Sequence, residues 1–513
     1  MLLRISSQKC LEVFFMGSSG DSVSFYIKTN RSFTLFRRYA WLLTILIGVG
    51  GQFVPALGLL VPFIMAALIV MSLFKGKYWC GNYCPHGSFF DNLLQPLSRH
   101  VKIPAILRSR PLIAAVLLFF IYNMTARFFV VYEAMGTAEF YERLGFIFAN
   151  TYLMVLLVGG LLAVAINPRT WCQFCPMGTM QAVLYKLGKA LGLTGRFDEK
   201  VALEHPALCH SCAKCARVCP IQLEPYLGFS EGNRFEDERC IRCDTCINNC
   251  PAGILHLAND RQAEELKQSV SLDGFEEARY YSARIKSISE LQDNIREYTF
   301  ELLEPSHMFY EPGQFVLLEI EKSRQMYRAY TISGSSKDKT EIRVTVKCLP
   351  DGYGTNLLFN SFREGDLLTL KGPLGRELRV NLESEELLFI ANGIGITPFV
   401  SVVQSIFDRK DYEFAGKADL LYGARYEEDL VYDDYLESAA AENSNFGYHK
   451  ILSKPQSAQY RKGYVTDILQ EMDPLPGAKV YICGTPEMAA DSQKILIDKG
   501  VLPENIYYEN FGV

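Results

Sequence analysis

The sequence has no block of like charge. Its 513 residues carry 52 Lys and Arg against 57 Asp and Glu, and the formal net charge of −5 is spread along the chain. That leaves no electrostatic footprint for nucleic acid. No C-x-x-C-H string occurs, so covalent haem attachment has no site. No acid–base dyad or nucleophile triad is evident. Residues 1–35 lack an apolar core followed by a small-residue cleavage site and do not read as a secretory signal peptide. Their Cys10 reads as an incidental thiol. Long apolar runs are scarce outside residues 40–170, which carry most of them, although 49% of the chain is hydrophobic. The remainder reads as water-soluble protein, and the length suggests about three domains.

Cysteine is present in pattern. Of fifteen cysteines, twelve fall into four tight clusters. Cys209, Cys212, Cys215 and Cys219 precede Pro220, and Cys240, Cys243, Cys246 and Cys250 precede Pro251, each run reading C-x2-C-x2-C-x3-C-P. A [4Fe–4S] cube needs four thiolates, and in this doubled arrangement the fourth Cys of each run serves the other cluster. The spacing therefore assigns Cys209, Cys212, Cys215 and Cys250 to one cube, and Cys240, Cys243, Cys246 and Cys219 to the second. Zinc would need one tetrahedral set and would not explain two such strings with trailing prolines. Disulfides would demand an oxidising compartment. Cluster-bound cysteines imply a reducing one, so the soluble parts are expected in the cytoplasm.

Residues 41–74 contain no charge over 34 positions, with Gly50, Gly51, Gln52 and Pro55 in the middle. One span takes about 20 residues, so this run is long for one helix and tight for two. Apolar stretches follow at about 111–132 and 150–167. The first pair ends in Trp79-Cys80-Gly-Asn-Tyr-Cys84-Pro85-His86-Gly87, the second in Trp171-Cys172-Gln-Phe-Cys175-Pro176-Met177-Gly178. Stretches 88–98 and 179–191 read as amphipathic helices at the membrane surface. Two equivalent halves predict four spans with both Cys pairs on one face. Arg37, Arg38, Lys75, Lys77, Arg99, Lys102, Arg108 and Arg110 flank that face, whereas the opposite loop carries Glu133, Glu139, Glu142 and Arg143. Positive-inside logic puts the N-terminus, the Cys pairs and everything after residue 168 on the cytoplasmic side of a multi-pass inner membrane protein. Arg127 reads as snorkelling to the outer interface, with a buried functional charge as the alternative. Cys80, Cys84, Cys172 and Cys175 are read as ligands of a third cluster, with structural cysteines or a redox-active dithiol as the alternatives.

Residues 36–255 resemble the NapH/NosR-type membrane polyferredoxins in these spans, membrane Cys motifs and ferredoxin strings. The second membrane motif is C-x2-C-P, one residue shorter than the first, a departure from identical halves.

After a charged linker at 259–278, strands are predicted at 281–289, 297–303, 314–320, 342–348 and 367–371, separated by turn signals. This is the pattern of a small antiparallel barrel. Strand–helix alternation from about 386, with strands at 387–391, 420–422 and 480–483, predicts a parallel α/β domain. The barrel carries Arg328-Ala-Tyr330-Thr331-Ile-Ser333; an Arg can neutralise a pyrophosphate and a Tyr can stack on a flavin ring. Gly352-Tyr-Gly354-Thr355-Asn356 opens a helix and suits a phosphate. The α/β half opens on a buried strand, Gly393-Ile-Gly395-Ile-Thr397-Pro398, and a helix. It lacks the third glycine of the dinucleotide fingerprint.

The order R-x-Y-T, G-x-G-T-N, G-x-G-x-T-P and Cys483-Gly484-Thr-Pro-Glu-Met488 resembles the ferredoxin–NADP reductase superfamily over about residues 280–513. The resemblance implies FAD on the barrel, contacted by Arg328, Tyr330, Thr331 and Ser333, with its phosphates at Gly354, Thr355 and Asn356. It implies NAD(P)H on the α/β domain at Gly393, Gly395, Thr397, Cys483 and Gly484. Glu509 and Phe511 resemble the acidic and aromatic ends that cover the flavin, and with Cys483 they stand as the catalytic candidates. Cys348 reads as core. Arg425 and Lys454 are candidates for a 2′-phosphate, and NADH versus NADPH stays open.

The predicted fold is thus multidomain: segment 1–37, a four-helix transmembrane module at 38–200, a 2[4Fe–4S] ferredoxin at 201–258, a linker at 259–278, an FAD-binding antiparallel β-barrel at 279–380 and an NAD(P)-binding α/β domain at 381–513. The predicted activity is a membrane-bound NAD(P)H oxidoreductase working through FAD and [4Fe–4S] clusters. Lipid surrounds it, and the acceptor is a quinone, a membrane subunit or a soluble client enzyme. Two alternatives are reverse flow from ferredoxin to NAD(P)+ and an assembly protein that reduces a client's metal centre.

Overall fold

The computed structural model describes residues 25–229, 233–473 and 476–509. Cys10 and Phe511 lie outside them. Among the described residues two compact units emerge: one built from residues 25–209 together with Ala213–Val270, the other from Ser271 onward together with His210–Cys212.

In the first unit, three helices are long and apolar enough to cross a membrane: Pro55–Lys75, Arg110–Tyr132 and Glu139–Ala165. The predicted first span is different. Its helix, Trp41–Gly48, has eight residues, about 12 Å of rise, and is broken from Leu35–Tyr39 at Ala40. Gly50–Gln52 and Pro55–Leu59 follow as 3-10 turns. Of the four predicted spans three are of spanning length among the described residues, because glycine and proline interrupt the helix ladder of the first. The same turns permit close packing: a Cβ on Gly58 would strike the Gly145 carbonyl, and one on Gly145 would strike that of Pro55. Small residues that let backbones meet are how helices associate where lipid removes the hydrophobic drive.

Pro176–Ala190 is a helix, as predicted. The 88–98 stretch is not a surface-lying helix. It runs as Pro85–Phe89 and then a π-turn at Phe90–Leu94, with Phe90 and Asp91 buried. Arg127 is exposed on its helix. Strands β1 (Lys200–Leu203) and β2 (Leu255–Ala258) pair antiparallel from Lys200↔Ala258 to Leu203↔Leu255 and bracket both cysteine strings.

The second unit opens with a closed barrel. Its strands are β3 (Arg279–Gln292), β4 (Ile295–Glu304), β5 (Phe315–Glu321), β6 (Met326–Ser335), β7 (Glu341–Lys347) and β8 (Leu367–Leu374), in the order β3-β4-β7-β6-β5-β8. Alternating burial, as in β4, turns Ile295, Tyr298, Phe300 and Leu302 inward. β6 is not among the strands predicted from sequence, yet it carries the whole Arg328–Ser333 string.

Beyond it, β9 (Glu386–Asn392), β10 (Lys417–Ala424), β11 (Phe446–Leu452), β12 (Lys479–Cys483) and β13 (Ile506–Tyr508) form a parallel sheet in the order β11-β10-β9-β12-β13. Leu387, Phe389 and Ala391 pack on one face; Leu388 and Ile390 pack on the other. Burial on both faces is why these strands read as continuous apolar runs.

Candidate functional site

The sheet reverses its strand order between β9 and β12, and in open α/β sheets ligands bind beyond the strand carboxyl ends at such a point. The pairs Ile390↔Ile482 and Ala391↔Cys483 bring the two glycine turns side by side. Gly393 has φ +52°, which only glycine adopts cheaply, and the space where its Cβ would stand is open. Gly395 faces the Cys483 carbonyl with Gly484 Cα 3.0 Å from its Cβ position. Asn392 ties the turns together: its Nδ2 donates to Thr485 Oγ1 at 3.2 Å and its Oδ1 accepts from the Thr485 N–H at 3.0 Å. Sequence reasoning missed Asn392, which sits inside the apolar strand run. Thr397 donates to the Ile394 carbonyl at 3.1 Å, bracing the turn.

Glu509 follows β13 at the same edge. Burial, helped by the charge of Glu377, raises its carboxyl to about 8. Its Oε2 finds no hydrogen-bond partner among the described residues, and its Oε1 lies 3.7 Å from the Cβ position of Gly375. Burial and the Glu509 charge push the Cys483 thiol up. A buried acid with an orphaned oxygen beside a buried thiol fits a site that receives a polar ring system.

On the barrel, Arg328 and Tyr330 alternate along β6, so both project from one face. The Cβ position of Gly354 is 3.0 Å from Arg328 Nε, which places this guanidinium over the N-terminus of helix Tyr353–Ser361. A guanidinium and a helix N-terminus together suit a pyrophosphate. Asn356 Nδ2 donates to the carbonyls of Leu349 and Gly352, both at 2.9 Å, and Thr355 Oγ1 donates to Gly352 O at 3.1 Å. These two side chains brace the turn, so the helix backbone is the part left for a phosphate. Thr331 is buried. Ser333 accepts from Thr345 at 3.2 Å, in a chain that includes Tyr432 and ends on Glu297. Arg425 and Lys454 meet through a backbone hydrogen bond of 2.9 Å where β10 and β11 end. Cys348 is buried, as a core residue would be.

In the first unit, Cys219, Cys240, Cys243 and Cys246 line one cavity with Ile221, Phe235 and Ile241. These are the four assigned to the second cube. Burial pushes Cys219 to about 11 and Cys240 to about 12, and Cys246 is raised by burial and then by Cys243, Cys240, Cys215 and Cys219. Four thiolates stand together here only around a cationic core. Among the described residues, no three His, Cys, Asp or Glu groups converge on a point that would bind a lone ion. The N–H of Leu223 donates to Cys219 Sγ at 3.3 Å and Thr245 meets Cys243 Sγ at 3.2 Å. Such hydrogen bonds tune a cluster's potential. The two strings share a backbone trace. Ser211 and Arg242, Ala213 and Asp244, and Gln222 and Gly253 occupy equivalent places, all at positive φ. Cys215 is buried, and Cys209 and Cys250 pack on the same apolar core. Cys212, which belongs to the second unit, is half-buried.

The membrane-motif cysteines come together as well: Cys80 interacts electrostatically with Cys172 and Cys175, and Cys84 with Cys80 and Cys172. Burial pushes Cys80, Cys84 and Cys175 up to about 12. Cys84 caps helix Pro85–Phe89 with its side chain, and Cys175 stands at the equivalent position before Pro176–Ala190. The one-residue difference between motifs is absorbed locally, since Cys80 lies in a five-residue α-turn and Cys172 in a three-residue 3-10 turn. Gln181 donates to Cys80 Sγ at 3.0 Å and the Gly87 N–H to Cys84 Sγ at 3.4 Å.

Comparison with known families and proteins finds the same kinds of domain along the chain. Residues 282–377 match an oxidoreductase FAD-binding domain and 389–494 an oxidoreductase NAD-binding domain. Residues 208–255 match a 4Fe–4S dicluster domain, and 57–104 and 149–194 a 4Fe–4S binding domain. The chain is 32% identical over 237 residues to the toluate 1,2-dioxygenase electron transfer component of Pseudomonas putida, covering 45% of this chain and 67% of that one. It is 27% identical over 274 residues to one component of the Na(+)-translocating NADH-quinone reductase of Idiomarina loihiensis, covering 50% and 66%. The chain thus spans about two thirds of each relative. Among solved structures, an Amycolatopsis cytochrome P450 reductase aligns at 24% identity over 46% of this chain and 70% of that one, with a TM-score of 0.42.

Proposed function

Since the chain belongs, through its FAD- and NAD-binding domains, to the ferredoxin–NADP reductase superfamily of flavoreductases, we propose that it oxidises NAD(P)H and delivers the electrons to a quinone at the membrane. Bound flavin accepts two electrons together and releases them singly, and iron–sulfur clusters accept one at a time. In this reading Arg328 and the N-terminus of helix Tyr353–Ser361 hold the flavin pyrophosphate, and Tyr330 packs on its ring. Gly393, Gly395 and Gly484 let the nicotinamide nucleotide approach the backbone. Cys483 and Glu509 line the meeting place of the two rings, where neutral Glu509 donates a hydrogen bond. Cys209, Cys212, Cys215 and Cys250 hold one cube; Cys219, Cys240, Cys243 and Cys246 hold the second; Cys80, Cys84, Cys172 and Cys175 hold a third. The flanking Lys and Arg residues favour the cytoplasmic face for all of them.

The observation that carries the membrane acceptor is the meeting of those last four cysteines, drawn from two separate helix pairs. The test is NADH oxidation by protein reconstituted in liposomes containing a ubiquinone analogue. Quinone-dependent turnover should be lost in Cys175→Ser while ferricyanide reduction persists. Equal quinone rates in wild type and variant would refute the membrane acceptor.

A further inference from the structure

Between the two cysteine centres of the first unit lies a cluster of charge that the flavoreductase activity does not account for. Asp91 is fully buried and accepts from three guanidiniums: Arg31 at 3.4 Å, Arg37 at 2.8 Å and Arg169 at 2.6 Å, each no more than 3% exposed. Two of them reach a cysteine loop with their outer ends. Arg37 Nη1 donates to the Cys243 carbonyl at 3.1 Å. Arg169 Nη1 donates to the Cys80 carbonyl at 3.1 Å and approaches Cys172 Sγ at 3.7 Å. The loops themselves touch. A Cβ on Gly81 would collide with the Ile241 carbonyl and stand 3.2 Å from Cys243 Cα, and Asn82 Nδ2 donates to the Arg242 carbonyl at 2.9 Å.

Three cations and one carboxylate leave two positive charges out of water, a costly arrangement without further anions. The groups that face them are cysteine sulfurs, which are anionic when they ligate iron: Arg169 Nη1 stands 3.7 Å from Cys172 Sγ, and Arg31, which interacts with Cys243 and Cys219, shares Asp91 with the Arg37 that holds the Cys243 carbonyl at 3.1 Å. A [4Fe–4S] core held by four thiolates is a net anion, one charge more negative when reduced. A fixed cation beside it stabilises the reduced form and raises its midpoint.

We propose that the Arg31–Arg37–Arg169–Asp91 cluster is a positioning and potential-setting element: Asp91 locks the two cysteine loops together, Arg169 raises the midpoint of the Cys80/Cys84/Cys172/Cys175 centre, and Arg31 raises that of the Cys219/Cys240/Cys243/Cys246 centre. This rests on the reading that the membrane-motif cysteines bind a cluster. One electron leaving either centre oxidises it and reduces the other, with no proton or further reactant, so these two charges set which centre holds the electron.

The test is potentiometric EPR titration of full-length protein in detergent, with iron counted first. About twelve irons per wild-type chain supports the underlying reading; about eight overturns that reading, and the proposal with it, before any potential is measured. With twelve present, Arg169→Gln should lower the midpoint of the membrane-motif centre and leave the Cys240-string centre in place. Arg31→Gln should do the reverse. Arg169→Lys should leave the midpoint closer to wild type than Arg169→Gln does, because the charge is kept although the fork to Asp91 and the Cys80 carbonyl is lost. Arg31 makes the longest contact with Asp91, so its variant keeps the test decisive if Arg169→Gln fails to assemble. Unshifted midpoints at full iron content, or equal shifts of both centres in both variants, would overturn the proposal.

Discussion

Glu509 is a carboxyl that burial keeps protonated at neutral pH, its value raised from 4.5 to about 8. The folded state therefore binds the proton more tightly than the unfolded state. The stabilisation is complete below about pH 4.5 and is lost as pH rises through about 8. Glu509→Gln should flatten the fall in melting temperature between about pH 5.5 and 8, read by calorimetry of the flavin-loaded protein; an unchanged fall would place the proton elsewhere. Asp91 has the opposite habit: three arginines hold it well below the usual carboxylate range. Asp91→Ala strands three buried cations and should destabilise the first unit by about 3–5 kcal/mol, measured as the unfolding midpoint in detergent. At this scale the cysteines are legible because a spacing repeated twice with its trailing proline points to a single chemistry. Asp91, Arg169 and Gln181 are not, since a lone polar residue beside an apolar stretch carries no period that separates a buried partner from a solvated one. Thr355, Asn356 and Ser333 are legible as polar residues of a motif, but not in the direction their side chains take.

Among elements, the barrel and the parallel sheet are readable from period-2 alternation and from buried runs. β6 escapes because Arg328-Ala-Tyr330-Thr331 breaks the alternation where it serves the site. β11 and β13 escape because Phe446–Leu452 and Ile506–Tyr508 are too mixed to stand out. The first span reads as longer than it is because absence of charge reports solubility in lipid and not helix continuity. The packing of turn Pro55–Leu59 against helix Ala138–Met154 depends on paired glycines. Gly58→Ala should cost about 1–3 kcal/mol by overpacking, while Gly160→Ala, whose Cβ would meet only Leu94 Cδ1 at 3.5 Å, should leave the detergent melting midpoint near wild type. Equal effects of the two substitutions would argue against the close contact.

For the whole molecule, one chain unites a flavoreductase with iron–sulfur domains, and its organisation is legible because each module announces itself by a different signal: apolar runs, cysteine spacing and ordered glycine motifs. What no spacing conveys is that the membrane motif and the Cys240 string meet at Gly81, a long-range contact fixed only by the fold. On the proposed function, electrons from nicotinamide reach iron within a single polypeptide. Stopped-flow spectroscopy of anaerobic protein mixed with NAD(P)H tests it most directly. Flavin bleaching should be followed by bleaching of the broad iron–sulfur absorbance and by a reduced-cluster EPR signal, lost in Cys246→Ser for the cube that residue serves. Flavin reduction with the iron absorbance and EPR signal unchanged would contradict it.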